Sequence, residues 1–337
     1  MRRYLLRRVA QAVVVLAGVI VLTFLVARVV PGDPAVAYAG PHASAAALAE
    51  VRREFGLDKP VLAQLGDYFS GTVTGDWGTA LHTHRPVLDD LGRVIPPTLE
   101  LVGFALILSL LVGIPLGMLA ARRRGAADAG VRVGSMLSVS VPVFLLALGL
   151  QFVFAQKLGW LPVAGEYDPK LDYSSPLTVY THMTIVDAAI TFNWPILGSA
   201  LAHIVLPCIA VAAYPTGVIA QMTRASLIEQ LGEDHVRMAR GLGYGERAIV
   251  RRLALRPALN PVVSVTALMF AYALVNTFLV ESIFNWPGLG SYATASIEAL
   301  DTPAIIGVTL FVAMVYVVAT LLVDLVQAWL DPRVQLR

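Results

Sequence analysis

The chain has 337 residues, of which 57% are hydrophobic and 14% are charged. Soluble domains carry roughly 25% charged residues, so this composition excludes an ordinary soluble protein and indicates an integral membrane protein. The formal net charge is +2, and the single cysteine, Cys208, excludes a disulfide framework or a CxxC metal site.

Six apolar runs are long enough to cross a bilayer, which requires about 20 helical residues. They lie at residues 9–30, 98–121, 133–156, 196–220, 258–280 and 304–323. Helices are favoured over barrel strands, because a membrane strand needs only about half that length. Prolines such as Pro142 and Pro207 fall inside these runs, where neighbouring helices can cover the freed carbonyls. We therefore predict an all-α, polytopic membrane protein with six transmembrane helices.

The first run follows the basic sequence MRRYLLRR, an arrangement that is also typical of cleavable signal peptides. Signal peptides have an apolar stretch of about 7–15 residues, whereas this one is near 20. The sequence therefore predicts a retained first transmembrane helix within residues 1–30.

The basic residues predict the orientation in the membrane. The N-terminus, residues 122–132, residues 221–257 and the C-terminus together contain 17 Lys and Arg, against two in 157–195 and none in 281–303. Residues 31–97 form a loop longer than about 60 residues, which contributes little to this rule. Both termini and residues 221–257 are therefore predicted to be cytoplasmic. Residues 31–97 become an extracellular segment, and residues 98–337 a five-helix transmembrane core.

The extracellular segment has helical periodicity of its own. Leu48, Val51 and Phe55 are spaced for one short helix, and Leu62, Leu65 and Phe69 for another. The later apolar run 185–192 is too short to span a bilayer, and we predict that it is interfacial or re-entrant.

Residues 221–257, the charged block, contain 11 charged side chains between two apolar runs. A solvated loop that obeys the positive-inside rule is one interpretation. A docking helix is the other, because an apolar face recurs at helical spacing and an acid–base pair, Glu233–Arg237, is spaced i, i+4. That face consists of Leu227, Leu231, His235 and Met238. Glycines at 241, 243 and 245 then break the helix.

This block resembles the EAA loop of permease subunits in bacterial ABC importers of the DppB/OppB type. EDHVRMARGLG matches at Glu233, Asp234, Val236, Arg237, Ala239, Arg240 and Gly243, and LALRPALNP follows as expected. His235, Leu242, Leu253 and Pro257 depart from the family pattern, and the loss of a charge at Leu242 leaves open any ion pair made there by relatives.

Further motifs extend the resemblance over the whole chain. In the family's order these are PGDP at 31–34, GDWGTAL at 75–81, ESIFNWPGLG at 281–290, DTPAIIG at 301–307 and LVDLVQAWLDPR at 322–333. The resemblance implies an ABC importer permease fold in the bacterial cell membrane. It also implies that the EAA segment couples to a separate ATPase.

Within that segment, the resemblance implies that Glu233, Asp234 and Arg240 pair with the ATPase surface. Arg237 and Ala239 belong to the same coupling motif, and Gly243 permits a tight turn because glycine tolerates φ > 0.

The resemblance also implies the partners. They are a DppC-like second permease, two ABC ATPase subunits (DppD/DppF-like or fused) that carry ATP and Mg, and an extracellular substrate-binding protein. The chain itself contains no GK dipeptide and hence no Walker A loop, so no cofactor is expected on it. No nucleic-acid partner is expected. Peptides lead the substrate candidates, with nickel complexes and glutathione left open.

Two polar residues of the fifth run, Asn276 and Glu281, are candidates for the translocation pathway. Glu281 and Glu100 are placed near the outer ends of their helices, where carboxylates can reach interfacial water. Two other classes of protein remain as alternatives. An ion-coupled secondary transporter or channel would carry ionisable groups at mid-bilayer, which most of the runs lack. An intramembrane enzyme would need Asp pairs or HExxH, and the pair Ser199 and His203 has no supporting residues.

Overall fold

The computed structural model describes residues 2–29, 35–36, 43–54, 58–122 and 125–330. Over these residues the chain is helical, without strands and with one isolated antiparallel bridge between Thr79 and Pro86. The predicted all-α class is confirmed. The PGDP motif at 31–34 and the DPR end of the last motif at 331–333 lie outside the described residues.

The helices follow one another along the chain with short connections. We number them α1 Arg2–Val29, α2 Ala45–Glu54, α3 Val61–Thr74, α4 Val87–Arg122, α5 Ala126–Ser140, α6 Val143–Lys157, α7 Leu171–Ser174, α8 Thr184–Ile190, α9 Trp194–Gly232, α10 Asp234–Gly241, α11 Glu246–Phe284, α12 Leu289–Glu298 and α13 Thr302–Leu330.

Four of these helices, α4, α9, α11 and α13, are long and apolar enough to cross a bilayer. The pair α5–α6 passes the same test together and makes a fifth span if it is counted as one. A polytopic membrane protein is therefore confirmed. The described side chains of α1 give an apolar helix only over Val13–Leu25, so the sixth span stays a prediction.

The predicted span 133–156 is not one continuous helix, because the chain bends by 101° between α5 and α6. Pro142 lacks an N–H and disfavours the helical conformation of the residue before it. Val141 is accordingly extended, with φ −80° and ψ 124°. Pro207 and Pro215 remain inside the continuous helix α9. The run therefore forms two helices with different axes.

By its internal contacts the chain divides into two compact units. The first comprises Met1–Pro97 and Pro287–Val318. Its core brings together Val87 and Leu91 of α4, Leu289 and Tyr292 of α12, and Ala304 of α13. These residues are distant from one another in the sequence.

A buried carboxylate in the first unit connects two of the sequence motifs. Asp301 accepts hydrogen bonds from the backbone N–H groups of Leu81 and His82, at 2.5 and 3.0 Å. The ring Nδ1 of His82 lies 2.6 Å from the same carboxylate oxygen. The motif GDWGTAL is therefore tied to the start of α13, where DTPAIIG begins.

Helices form in residues 31–97 where the apolar spacing predicts them, as α2 and α3, while Phe55 lies outside the described residues. The regularly spaced apolar residues of α3 do not form its packed face. Leu62 is 82% exposed and Phe69 is also exposed. Tyr68 instead contacts Phe24 of α1, with ring centroids 6.0 Å apart. The apolar spacing marks the helix correctly, whereas the face that packs is set by α1.

The second unit comprises Thr98–Trp286 and Ala319–Arg337, and α9 is at its centre. It contacts α5, α6, α8 and α11. The part of α4 within this unit also packs closely on α9: a Cβ added at Gly117 would lie 2.5 Å from the carbonyl oxygen of Ala220. Glycine is required there because the two backbones meet.

Candidate functional site

The short helix α10 is a separate segment that begins directly after α9. Glu233 is extended (φ −68°, ψ 153°) and is the only residue between the two helices. Its carbonyl accepts hydrogen bonds from the backbone N–H groups of Val236 and Arg237, both at 3.1 Å. The chain therefore changes direction at Glu233 and restarts as a new helix.

One side of α10 is anchored in the second unit. Val236 and Ala239 are buried in an apolar cluster with residues of α9 and α11, namely Leu227, Ile249, Val250, Ala254 and Ala258. The predicted apolar face is wrong, since His235 and Met238 are exposed. Leu227 and Leu231 belong to α9, and the break at Glu233 ends the periodicity that linked them to α10.

The glycine turn closes α10 with a Schellman motif. Gly243 has φ +80°, as predicted for a tight turn. Its N–H donates to the carbonyl of Arg240 at 3.0 Å, and the N–H of Tyr244 donates to the carbonyl of Ala239 at 3.1 Å. These two bonds satisfy carbonyls that a free helix end would leave unpaired.

Arg240 spans this turn. Its Nε donates to the Glu246 carboxylate at 2.7 Å, and its Nη1 lies 3.4 Å from the carbonyl of Leu231. The carboxylate of Glu246 raises the pKa of the Arg240 guanidinium above its usual value. Arg240 therefore links the end of α9, α10 and the start of α11.

The predicted Glu233–Arg237 pair is wrong, because Arg237 pairs with Asp234 at 3.3 Å. Asp234 follows the break and lies on the first turn of α10, whereas Glu233 precedes the helix. The side chain of Asp234 is 97% exposed. An ion pair this exposed contributes little to stability, so both charges remain available for contacts with another protein.

The outward side of the turn carries three large apolar side chains, of which the sequence analysis placed only Met238 on an apolar face. Met238, Leu242 and Tyr244 are each more than half exposed. We call them the apolar tip. The available signal in the sequence is the i, i+3 spacing of Val236 and Ala239, which marks the opposite, buried face of α10.

The expectation that Glu100 and Glu281 reach interfacial water is wrong, since both are buried. Glu281 accepts a hydrogen bond from the Thr98 hydroxyl at 2.6 Å. Glu100 accepts from the backbone N–H groups of Ile185 and Val186 at 2.9 and 3.1 Å, which caps the start of α8. Buried carboxylates require such donors.

Asn276 and Glu281 are not brought together. They are five residues apart on α11 and therefore point about 140° apart around its axis. Asn276 is half-buried, and its side-chain amide donates to the carbonyl of Tyr272 at 2.9 Å. The ring of Tyr272 stacks on Tyr214 of α9 at 4.3 Å. Glu281 instead faces Thr98.

Glu166 lies in the connection between α6 and α8 and provides a second carboxylate acceptor at the start of α8. Its carboxylate accepts a hydrogen bond from the Thr184 hydroxyl at 2.7 Å. Burial raises the pKa of the Glu166 carboxyl to about 7. The charged form is therefore disfavoured in the folded protein.

This raised pKa makes the folded protein lose stability as the pH rises from about 4.5 to about 7, because the unfolded chain releases the proton first. Glu166→Gln keeps an acceptor for Thr184 and removes the titration. We expect the variant to be more stable than the wild type above pH 7, by on the order of 2 kcal/mol, and equal to it near pH 4. Thermal unfolding in detergent at several pH values measures this, and parallel profiles for the two proteins would contradict it.

Among the described residues, no group of three or more His, Cys, Asp or Glu side chains could hold a metal ion. Ser199 and His203 contact each other, but His203 Nδ1 is closest to the Ser199 carbonyl, at 2.7 Å. This bond within α9 holds the imidazole against its own helix.

Two family models cover most of the chain. Residues 113–336 match the binding-protein-dependent transport system inner membrane component, and residues 1–101 match the N-terminal region of such membrane components. The chain belongs to this family. The resemblance to ABC importer permeases is thereby confirmed, as is membership of a class of multi-pass inner-membrane subunits that are not enzymes.

Curated relatives of this permease family match over nearly their full length. The probable D,D-dipeptide transport system permease protein DdpB of Escherichia coli K12 is 41% identical over 96% of this chain and 94% of its own. The dipeptide transport system permease proteins DppB of Alkalihalophilus pseudofirmus and of E. coli K12 are 34% and 35% identical. Each alignment covers 99% of this chain, and 100% and 99% of the respective relative.

Proposed function

We propose that this permease subunit forms half of the pathway of an ATP-driven importer for small peptides. The observation that carries the proposal is α10, a short helix buried on one side, fixed at both ends and exposed on the other. A helix held in this way can receive a displacement from a separate ATPase and pass it to α9 and α11.

The residues of α10 divide into two groups in this proposal. Glu233, Asp234 and Arg237 are the charged contacts to the ATPase, together with the apolar tip. Ala239, Arg240 and Gly243 hold the helix in place. Arg240 already pairs with Glu246 within the chain, which supports a positioning role in addition to the ATPase contact that the resemblance implies.

The substrate class follows from the relatives, whose names describe transport of D,D-dipeptides and dipeptides. Transport in this family is binding-protein-dependent by description. We therefore propose an external binding protein, a DppC-like second permease, and two ATPase subunits that bind ATP and Mg. Residues 221–257 and both termini face the cytoplasm in this arrangement, and residues 31–97 face outward.

For the pathway we propose Asn276 as a lining residue. The side chain is half-buried beside the Tyr214–Tyr272 stack, so it can present its amide to a passing solute. Glu281 is the second candidate. Its contact with Thr98 means that it contributes to the pathway mainly by fixing α11 against α4.

Reconstitution in liposomes tests the function. The chain, its second permease, the ATPases and the binding protein are expected to accumulate a labelled dipeptide only with internal ATP. The chain alone should give no ATP-dependent uptake. Uptake by the chain alone, driven by a proton or sodium gradient, would instead establish the ion-coupled carrier.

A further inference from the structure

An ion pair joins α5 to α9 outside the EAA segment. Asp128, in the first turn of α5, accepts from Arg224 Nε at 2.5 Å and from Arg224 Nη2 at 3.0 Å. The two side chains are only 15% and 27% exposed. A two-point contact between a guanidinium and a carboxylate fixes orientation as well as distance.

The same two helices also meet two turns further along. A Cβ added at Gly217 would lie 2.9 Å from the carbonyl oxygen of Ser135 and would collide with the Ser138 hydroxyl. Asp128 and Ser135 are seven residues apart on α5, and Arg224 and Gly217 are seven residues apart on α9. The helices are therefore antiparallel and in contact at two levels, about 10 Å apart along their axes.

Arg224 lies close to the site of coupling. Helix α9 continues from it to Gly232 without a break, and Glu233 alone separates α9 from α10. A movement of α10 is therefore passed to α9 near Arg224. Helix α5 ends at the bend before Pro142, and beyond the bend α6 has a different axis and contacts α9 and α11 itself.

We propose that the Asp128–Arg224 pair is a transmission link, which makes α5 move with α9 when the ATPase displaces α10. Both residues are positioning residues and contact no substrate. The proposal rests on the proposed function, since it needs a displacement imposed on α10. It extends the moving segment to a helix that the EAA motif does not include.

The chain provides a matched control. Arg132 lies on α5 itself, and its Nε is 3.6 Å from the same Asp128 carboxylate. Arg132→Gln removes a positive charge next to Asp128 without disconnecting two helices. An effect of local charge alone should therefore appear in Arg132→Gln as well as in Arg224→Gln.

The test uses the complete reconstituted importer and measures dipeptides transported per ATP hydrolysed. Asp128→Asn and Arg224→Gln should retain bound ATPase subunits and lower this ratio by about tenfold, the effect of losing one charge-assisted contact. The reversed pair, Asp128→Arg with Arg224→Asp, should recover most of the ratio. Arg132→Gln should behave as the wild type. Arg224→Lys, which keeps the charge but not the two-point contact, should fall between, and it remains informative if a neutral variant fails to insert.

Two results would overturn the link. One is an unchanged ratio in Asp128→Asn, Arg224→Gln and Arg224→Lys. The other is an equal loss in Arg132→Gln, with no recovery in the reversed pair. Failure of the proposed function is distinguishable, because the wild-type chain would then lack ATP-dependent uptake or would not retain ATPase subunits.

Discussion

Gly243→Pro is expected to lower ATP-driven peptide uptake by about a hundredfold or more while the chain still inserts in the membrane. Proline fixes φ near −65° and has no N–H, whereas Gly243 has φ +80° and donates to Arg240. The substitution removes the turn that ends α10, so the helix loses its orientation while the packing of the membrane-spanning helices is unchanged. Uptake and ATP hydrolysis by the reconstituted complex measure the effect, with hydrolysis retained and uptake lost.

Gly245→Ala is the matched control, because Gly245 has an ordinary φ of −68° and open space around its Cα. It should transport normally. Charge reversal at both Glu233 and Asp234 should reproduce the uncoupling by a different route, since these side chains are exposed and do not support the fold. Normal uptake in both the proline variant and the doubly reversed variant would show that α10 is not the coupling element.

Gly117→Ala is expected to have the largest effect on stability. The added Cβ would lie 2.5 Å from the Ala220 carbonyl oxygen and 2.6 Å from the Thr223 Cβ, and a backbone oxygen cannot move as a flexible side chain can. Overpacking of this kind costs about 1–3 kcal/mol, and more where backbones are in contact. We expect a loss of at least about 3 kcal/mol, seen as a lower yield in membranes and a lower Tm in detergent.

Gly103 lies on the same helix, α4, with no atom near its Cα that a methyl group would meet. Gly103→Ala should therefore leave the yield and the Tm unchanged or raise them slightly, because alanine favours helix. If Gly117→Ala were as well tolerated as Gly103→Ala, the close approach of α4 to α9 would not exist in the membrane.

The sequence was sufficient for the fold class and for the location of α10. Apolar run length separates membrane helices from soluble ones, and the run of matched residues from Glu233 to Gly243 marks the segment for which we propose the coupling role. The side of α10 that packs was predicted wrongly, because apolar periodicity cannot reveal that one extended residue, Glu233, separates two helices. The bend at Pro142 was not predicted, for a related reason. Prolines are tolerated inside α9, whereas Pro142 ends a helix at Val141. Both runs are apolar and contain proline, so composition does not distinguish the two outcomes.

The carboxylates show a second kind of limit. Glu281 and Glu100 are buried because Thr98 and the backbone of Ile185 and Val186 provide donors. These partners are distant in sequence, and a single chain gives no signal of such pairs. The Asp128–Arg224 contact was missed for the same reason, since it joins residues 96 positions apart.

The most direct measurement is cross-linking from the apolar tip in the assembled transporter. Cys208 is buried and is the chain's single cysteine, so Met238→Cys in a Cys208→Ala background provides one accessible thiol. A reagent that joins this thiol to nearby lysines should link the chain to an ATPase subunit. Tyr173→Cys, on α7 and even more exposed than Met238, should link to no ATPase. A contradicting result would be that the ATPase subunits are attached while the Met238→Cys thiol still reacts with a bulky maleimide and forms no cross-link to them. Coupling through α10 would then be excluded.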